Sequence, residues 1–377
     1  MRILLGKSIL VLLFLALFSA DMRADDVIIN RKGKRIELNG QVLVAAQDGG
    51  LMFQTPDGHI WLIQPDEIVE SDDNEQHPEP LKNKELGVQL QAELPDGFKI
   101  HHAGDFVIAY STERTYARWV GGLYQRLHRG FDTHWQRKKF KTKDPDYPLA
   151  VIIFSNKAEY ERYMAKELGE VSPGLVAYYN LQSNRVAMYD LTADRNDGHK
   201  RQISEVLADP RSIQMVATVI HEGTHQLMFN TGMQVRMSDT PLWLNEGLAM
   251  YFETPDLSSK RGWRAIGRVN HMRLVHFKKS RQRRPADWLT LMLTSDKRFR
   301  ESTTALDAYA ESWAFCYFLL KEYEEKFVDY LKFMSQKPQQ KADGHETRVS
   351  DFKKFLGEDL QALEREFLRY IEKLPLR

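Results

Sequence analysis

Residues 212–230 read SIQMVATVIHEGTHQLMFN, and the rest of the chain is best read outward from them. Ile213, Val216, Ala217, Val219, Ile220, Leu227 and Met228 recur at helical spacing and Gly232 follows as a stop, so the pattern predicts a helix. Within it, His221-Glu222-Gly223-Thr224-His225 puts two imidazoles one turn apart on one face. Two such imidazoles can share a tetrahedral metal, and Glu222 can reach a metal-held water as a general base without occupying a coordination position. The pattern arises by chance in on the order of one chain in a hundred of this length, so it needs a second element beside it.

Residues 241–253, PLWLNEGLAMYFE, supply that element. Thr240 is the expected N-cap and Pro241 the first helical position. Glu246 then sits among Trp243, Leu244, Leu248 and Ala249. A bare carboxylate there would be costly to bury, and a nearby divalent cation would remove that cost. Two histidines and one glutamate leave a fourth position open, the arrangement of a catalytic rather than a structural zinc.

The two segments resemble the paired motifs of the gluzincin metallopeptidases, and the second is most similar to the aminopeptidase N-like branch. The resemblance implies that His221, His225 and Glu246 hold one zinc ion. Ala308-Tyr309-Ala310-Glu311-Ser312-Trp313 is similar in context to the family segment whose tyrosine stabilises the oxyanion, which implies that role for Tyr309; the alternative is a tyrosine that only packs. Glu253 matches a family glutamate that orients a ligand histidine, the alternative being a surface carboxylate. Over roughly residues 88–324 the chain also resembles exported bacterial gluzincin-like domains of unknown function. It departs from the aminopeptidase N-like pattern in two respects. The 21 positions from His225 to Glu246 are a longer separation, and no Gly-x-Met-Glu-Asn segment is present to hold a free amino terminus.

Composition agrees with a folded enzyme. Of 377 residues 42% are hydrophobic, enough for a substantial core. The 53 Lys and Arg against 52 Asp and Glu leave no field to attract a polyanion, so nucleic acid is not an expected partner. Basic clusters at 137–143 and 278–284 are expected to be solvated loops. Arg2 and Lys7, then apolar Ile9 to Phe18, then Ser19 and Ala20, form an export signal over 1–20, with cleavage after Ala20 or Ala24 or retention as a membrane anchor left open. The expected location is therefore periplasmic, cell-surface or secreted. Cys316 is the only cysteine, so no intrachain disulfide is possible, and its apolar neighbours make it a buried thiol.

Residues 27–70 alternate short β segments with turns at Asp48-Gly49-Gly50 and Pro56-Asp57-Gly58, which predicts a small all-β module, a meander or SH3-like barrel. Trp61 and Phe53 are read as its core, a binding face being the alternative. Residues 71–87 read as an acidic linker, and 88–377 as the catalytic domain. That domain opens strand-helix-strand-helix at 105–110, 113–135, 149–154 and 157–168. A hairpin follows at 174–179 and 185–190 and makes the antiparallel edge of the sheet; from 212 onward the pattern is helical. The expected class is α+β, a zincin-like domain of mixed sheet and helical C-terminal part behind a β module. The expected function is hydrolysis of a peptide or protein substrate. A non-catalytic, zinc-stabilised surface or periplasmic protein with a partner-binding β module is the alternative. Nothing in the sequence sets an oligomeric state.

Overall fold

A computed structural model describes residues 26–72, 78–169, 174–192, 202–254 and 266–376. The export signal expected over 1–20 lies outside these residues. The described chain is α+β and divides into two compact units, one of residues 26–125 with 145–192, the other of residues 126–144 with 202–376. Among the described residues no helix is long and apolar enough to cross a membrane.

The first unit begins with β1 (Asp26–Arg31), β2 (Lys34–Asn39), β3 (Gln41–Ala45), β4 (Leu51–Gln54), β5 (Ile60–Ile63) and β6 (Ile68–Asp72). They form two antiparallel three-stranded sheets, β2-β1-β6 and β3-β4-β5. Between β2 and β3 the β run is broken at Gly40. A Cβ there would lie 2.2 Å from the Gln54 carbonyl oxygen, so only glycine lets the chain pass this close. Val27, Ile29, Leu38, Leu51, Phe53 and Ile63 fill the space between the sheets. Phe53 is thus core, and half-buried Trp61 packs against the same cluster.

Helix α1 (Asn83–Glu93) starts inside the stretch 71–87 expected as a linker, and β6 also occupies part of that stretch. Leu86 and Leu90 bury one face of α1, an apolar spacing of four that a composition argument passes over. Next come β7 (Lys99–Ala103), β8 (Phe106–Tyr110), α2 (Arg114–Arg137), β9 (Leu149–Phe154), α3 (Lys157–Leu168), β10 (Ala177–Asn180) and β11 (Arg185–Tyr189). The five-stranded sheet has the order β10-β11-β9-β8-β7. β8, β9 and β11 run parallel, and β10 closes one edge as the antiparallel hairpin partner of β11. Buried on both faces, β8 and β9 are unbroken apolar runs. β7, with two histidines and a lysine among its five residues, lacks that signature and is held by pairing to β8.

The β module is joined to this sheet by more than the chain. Ile60 N donates to Gln182 O in the β10–β11 turn, and buried Arg185 pairs with Asp57 of the module at 3.2 Å and with Glu93 of α1 at 2.6 Å.

The second unit holds the end of α2, then α4 (Ile203–Ala208), α5 (Pro210–Asn230), α6 (Leu242–Tyr251), α7 (His271–Lys279), α8 (Trp288–Thr294), α9 (Lys297–Arg300), α10 (Ala305–Glu322), α11 (Glu324–Met334), α12 (His345–Leu356) and α13 (Leu360–Glu372). α5 ends two residues before Gly232, whose φ of 80° takes the chain out of the helix. Trp243, Trp288, Phe315, Phe352 and Phe367 form a connected aromatic core among α6, α8, α10, α12 and α13. The basic cluster at 278–284 is largely exposed, as expected, but it spans the end of α7 and a 3-10 turn and two of its arginines have acidic partners. Arg283 binds Asp307 through two nitrogens, at 2.9 and 2.8 Å. The guanidinium of half-buried Arg284 lies over the Phe277 ring and pairs with Glu311. Acidic partners on α10, more than twenty residues away in sequence, make the difference. In the other cluster, Lys138 pairs with Glu324.

Candidate metal centre

Every side chain of this site comes from the second unit. α5 carries His221, Glu222 and His225, all buried, with the two imidazoles on one face, their ring centroids 4.6 Å apart. α6 brings Glu246 opposite. Its N-cap is Pro241 rather than Thr240, and the amide of Leu242 is satisfied by Oδ1 of Asp296 at 3.0 Å. The capping acceptor is thus supplied across the fold, where local sequence rules do not see it. Gly247 sets how closely α6 approaches α10: a Cβ at this position would fall 2.4 Å from Cys316 Sγ and 2.6 Å from Ser312 O. Cys316, fully buried with its thiol pushed up by burial, fills the space beside that glycine.

One ligand atom each from His221, His225 and Glu246 lies within 4.8 Å of the others. His221 Nε2 is 3.1 Å from Glu246 Oε2 and 2.9 Å from His225 Nε2, and His225 Nε2 is 3.7 Å from Glu246 Oε1. The outer nitrogens have their own acceptors. His221 Nδ1 faces Glu253 Oε1 at 2.9 Å, and His225 Nδ1 faces Asn245 Oδ1 at 3.1 Å. In the neutral, metal-binding form with each proton on Nδ1, both Nδ1–H groups donate outward and the two Nε2 lone pairs face one another and a carboxylate.

The residues therefore suit a cation. Three acceptors converge in a buried place, and Glu246 Oε1 is buried there without a hydrogen-bond partner. Burial would lower the His221 pKa, but the hydrogen bonds and charges of Glu246 and Glu253 outweigh it and hold it up at about 9. Burial would raise Glu246, yet the histidines keep its carboxyl well below the usual range. Positive charge is favoured at the meeting point of the three groups. Two imidazoles and one carboxylate are a donor set of borderline softness, suited to a first-row divalent ion.

Glu253 lies just beyond α6 and is buried, not a surface carboxylate; burial would raise it, but Arg273 and His221 hold it down at about 2. Glu222 is buried next to His221. Tyr309, buried on α10, meets the edge of Phe299 with centroids 5.2 Å apart, and the Arg273 guanidinium lies 6.0 Å from its ring centroid. Asn245, Asn270 and Arg273 were not singled out by sequence reasoning. Asn245 could have been, since it immediately precedes Glu246. Asn270 and Arg273 carry no local signal.

Residues 215–340, about a third of the chain, match a family described as a protein of unknown function (DUF1570). The match contains every side chain just described. No curated protein matches the chain.

Proposed function

We propose that the chain is a zinc-dependent hydrolase of the gluzincin type that cleaves peptide bonds, with His221, His225 and Glu246 holding the metal. The observation that carries this reading is the convergence of two Nε2 lone pairs and a half-unpartnered carboxylate in a buried place. Zinc held there supplies Lewis acidity, polarising the scissile carbonyl and acidifying water. Glu222 is the general base, taking a proton from the attacking water and passing it to the leaving nitrogen. Tyr309 donates its phenolic hydrogen to the developing oxyanion, a task suited to a group that stays neutral at working pH. Glu253 and Asn245 fix the tautomers of the two histidines. The basic, then apolar, then small-residue order at residues 1–20 supports export as the setting of this activity.

The test is metal analysis of protein purified without chelator, with a peptide-library cleavage assay on wild type and Glu222→Gln. Near-stoichiometric zinc and chelator-sensitive cleavage are expected, with turnover of the variant lower by about 10²–10⁴-fold and its zinc retained. Equal cleavage by both proteins would refute the mechanism. Zinc without any cleavage would favour a metal that only braces the fold.

A further inference from the structure

Glu253 stands two residues past the end of α6, its amide bonded to Met250 O at 3.2 Å, and its carboxylate faces His221 Nδ1. Its grip comes from the start of α7. Arg273 approaches it with two nitrogens, Nη2 at 2.9 Å from Oε1 and Nε at 3.2 Å from Oε2. Asn270, the N-cap of α7, donates from Nδ2 to Oε2 at 3.0 Å and accepts from the amide of Arg273 through Oδ1 at 3.3 Å. The carboxylate of Glu253 is thus shared between His221 and this two-residue clamp. A forked guanidinium against a carboxylate fixes orientation as well as charge, which a single-point cation cannot do.

We propose that Arg273 is a positioning residue for the metal ligands: by clamping Glu253 it fixes the bond to His221 Nδ1, and with it the direction of the His221 Nε2 lone pair. The proposal rests on the reading of the site as a metal centre. Loss of such an outer partner weakens metal binding by about 10–100-fold. An arginine that served only the stability of the fold would leave affinity in the folded protein unchanged.

The experiment uses the full chain and the ions themselves. Zn²⁺ affinity is measured by chelator competition, and the Co²⁺ absorption spectrum reports ligand geometry, for wild type, Arg273→Gln, Glu253→Gln and the double variant. Arg273→Gln is expected to bind Zn²⁺ about 10–100-fold more weakly with an altered Co²⁺ spectrum. The double variant is expected to be no weaker than Glu253→Gln alone, because the arginine acts through that carboxylate. Wild-type affinity in Arg273→Gln, or losses that multiply in the double variant, overturns the proposal. If Arg273→Gln does not fold, Arg273→Lys carries the same comparison, keeping the charge but not the fork. Wild type that binds neither ion defeats the metal-centre reading and this proposal together; wild type that binds while the arginine variant matches it defeats the proposal alone.

Discussion

Asn245 Oδ1 lies 3.1 Å from Nδ1 of His225, so the residue before one candidate ligand offers an acceptor to the outer nitrogen of another. α6 thus contributes twice to the cluster, through Glu246 and through its neighbour. Asn245→Ala removes the acceptor and leaves the buried Nδ1–H unsatisfied. Zinc affinity is expected to fall by about 10–100-fold, read by chelator competition. An unchanged affinity would show that the ring is held by packing alone.

His221→Ala, His225→Ala and Glu246→Ala address the ligands themselves. Each is expected to lose most of the stoichiometric metal found in wild type. A chelator should also lower the wild-type melting temperature, since an ion that binds only the folded state stabilises it by mass action. Full metal content in all three variants by elemental analysis would contradict the assignment.

Gly247 gives a prediction about stability that involves no metal chemistry. Alanine would place its Cβ 2.4 Å from Cys316 Sγ and 2.6 Å from Ser312 O, against a neighbouring helix. Overpacking of this kind costs about 1–3 kcal/mol, so Gly247→Ala is expected to lower the denaturant midpoint with little change in slope. Adding Cys316→Ala relieves the sulfur contact but not the backbone one, so only part of the loss should return. Full recovery would mean that the backbone contact relaxes freely.

Much of this site was legible in the sequence because it is local. His221 and His225 share a helical turn, and Glu246 is conspicuous as a carboxylate in an apolar run. The sheet was legible where strands are buried on both faces, as in β8 and β9, and where a polar turn separates the strands of the β10–β11 hairpin. What escaped depends on partners far away in sequence. β7 is polar and becomes a strand by pairing with β8. The start of α6 is satisfied by Asp296, not by Thr240. Arg283 and Arg284, which look like part of a solvated basic run, are matched to Asp307 and Glu311 on α10. Arg273 matters only because the fold returns it to Glu253.

Arg185 and Asp57 make a prediction about pH. Burial would raise Asp57, but the Thr55 hydroxyl and the Arg185 charge outweigh it and lower its pKa below the ordinary 3.8. A carboxyl depressed on folding contributes stability that is present above its unfolded pKa and lost as pH falls through the folded value. The first unit should therefore weaken below about pH 4, the range of free carboxyls. Arg185→Met strands Asp57 without its cation and is expected to cost about 3–5 kcal/mol near neutral pH, with Asp57→Asn added to it returning part of that loss. Chemical denaturation across pH reads both effects. An acid limb unchanged in Asp57→Asn would remove Asp57 as its source.

Tyr309 offers a test of chemistry that is separable from packing. Its ring meets the edge of Phe299 and lies under the Arg273 guanidinium, and phenylalanine can keep both contacts. Tyr309→Phe deletes only the phenolic oxygen and its hydrogen. With a peptide that wild type cleaves, turnover is expected to fall by on the order of a hundredfold while KM changes little, because the lost donor serves the transition state more than the bound substrate. Zinc content and melting temperature should stay near wild type. A variant that keeps its turnover would leave Tyr309 as a packing residue, with the roles of Glu222 and the metal ligands untouched. A variant that loses zinc as well would instead mean that the hydroxyl supports the centre's structure.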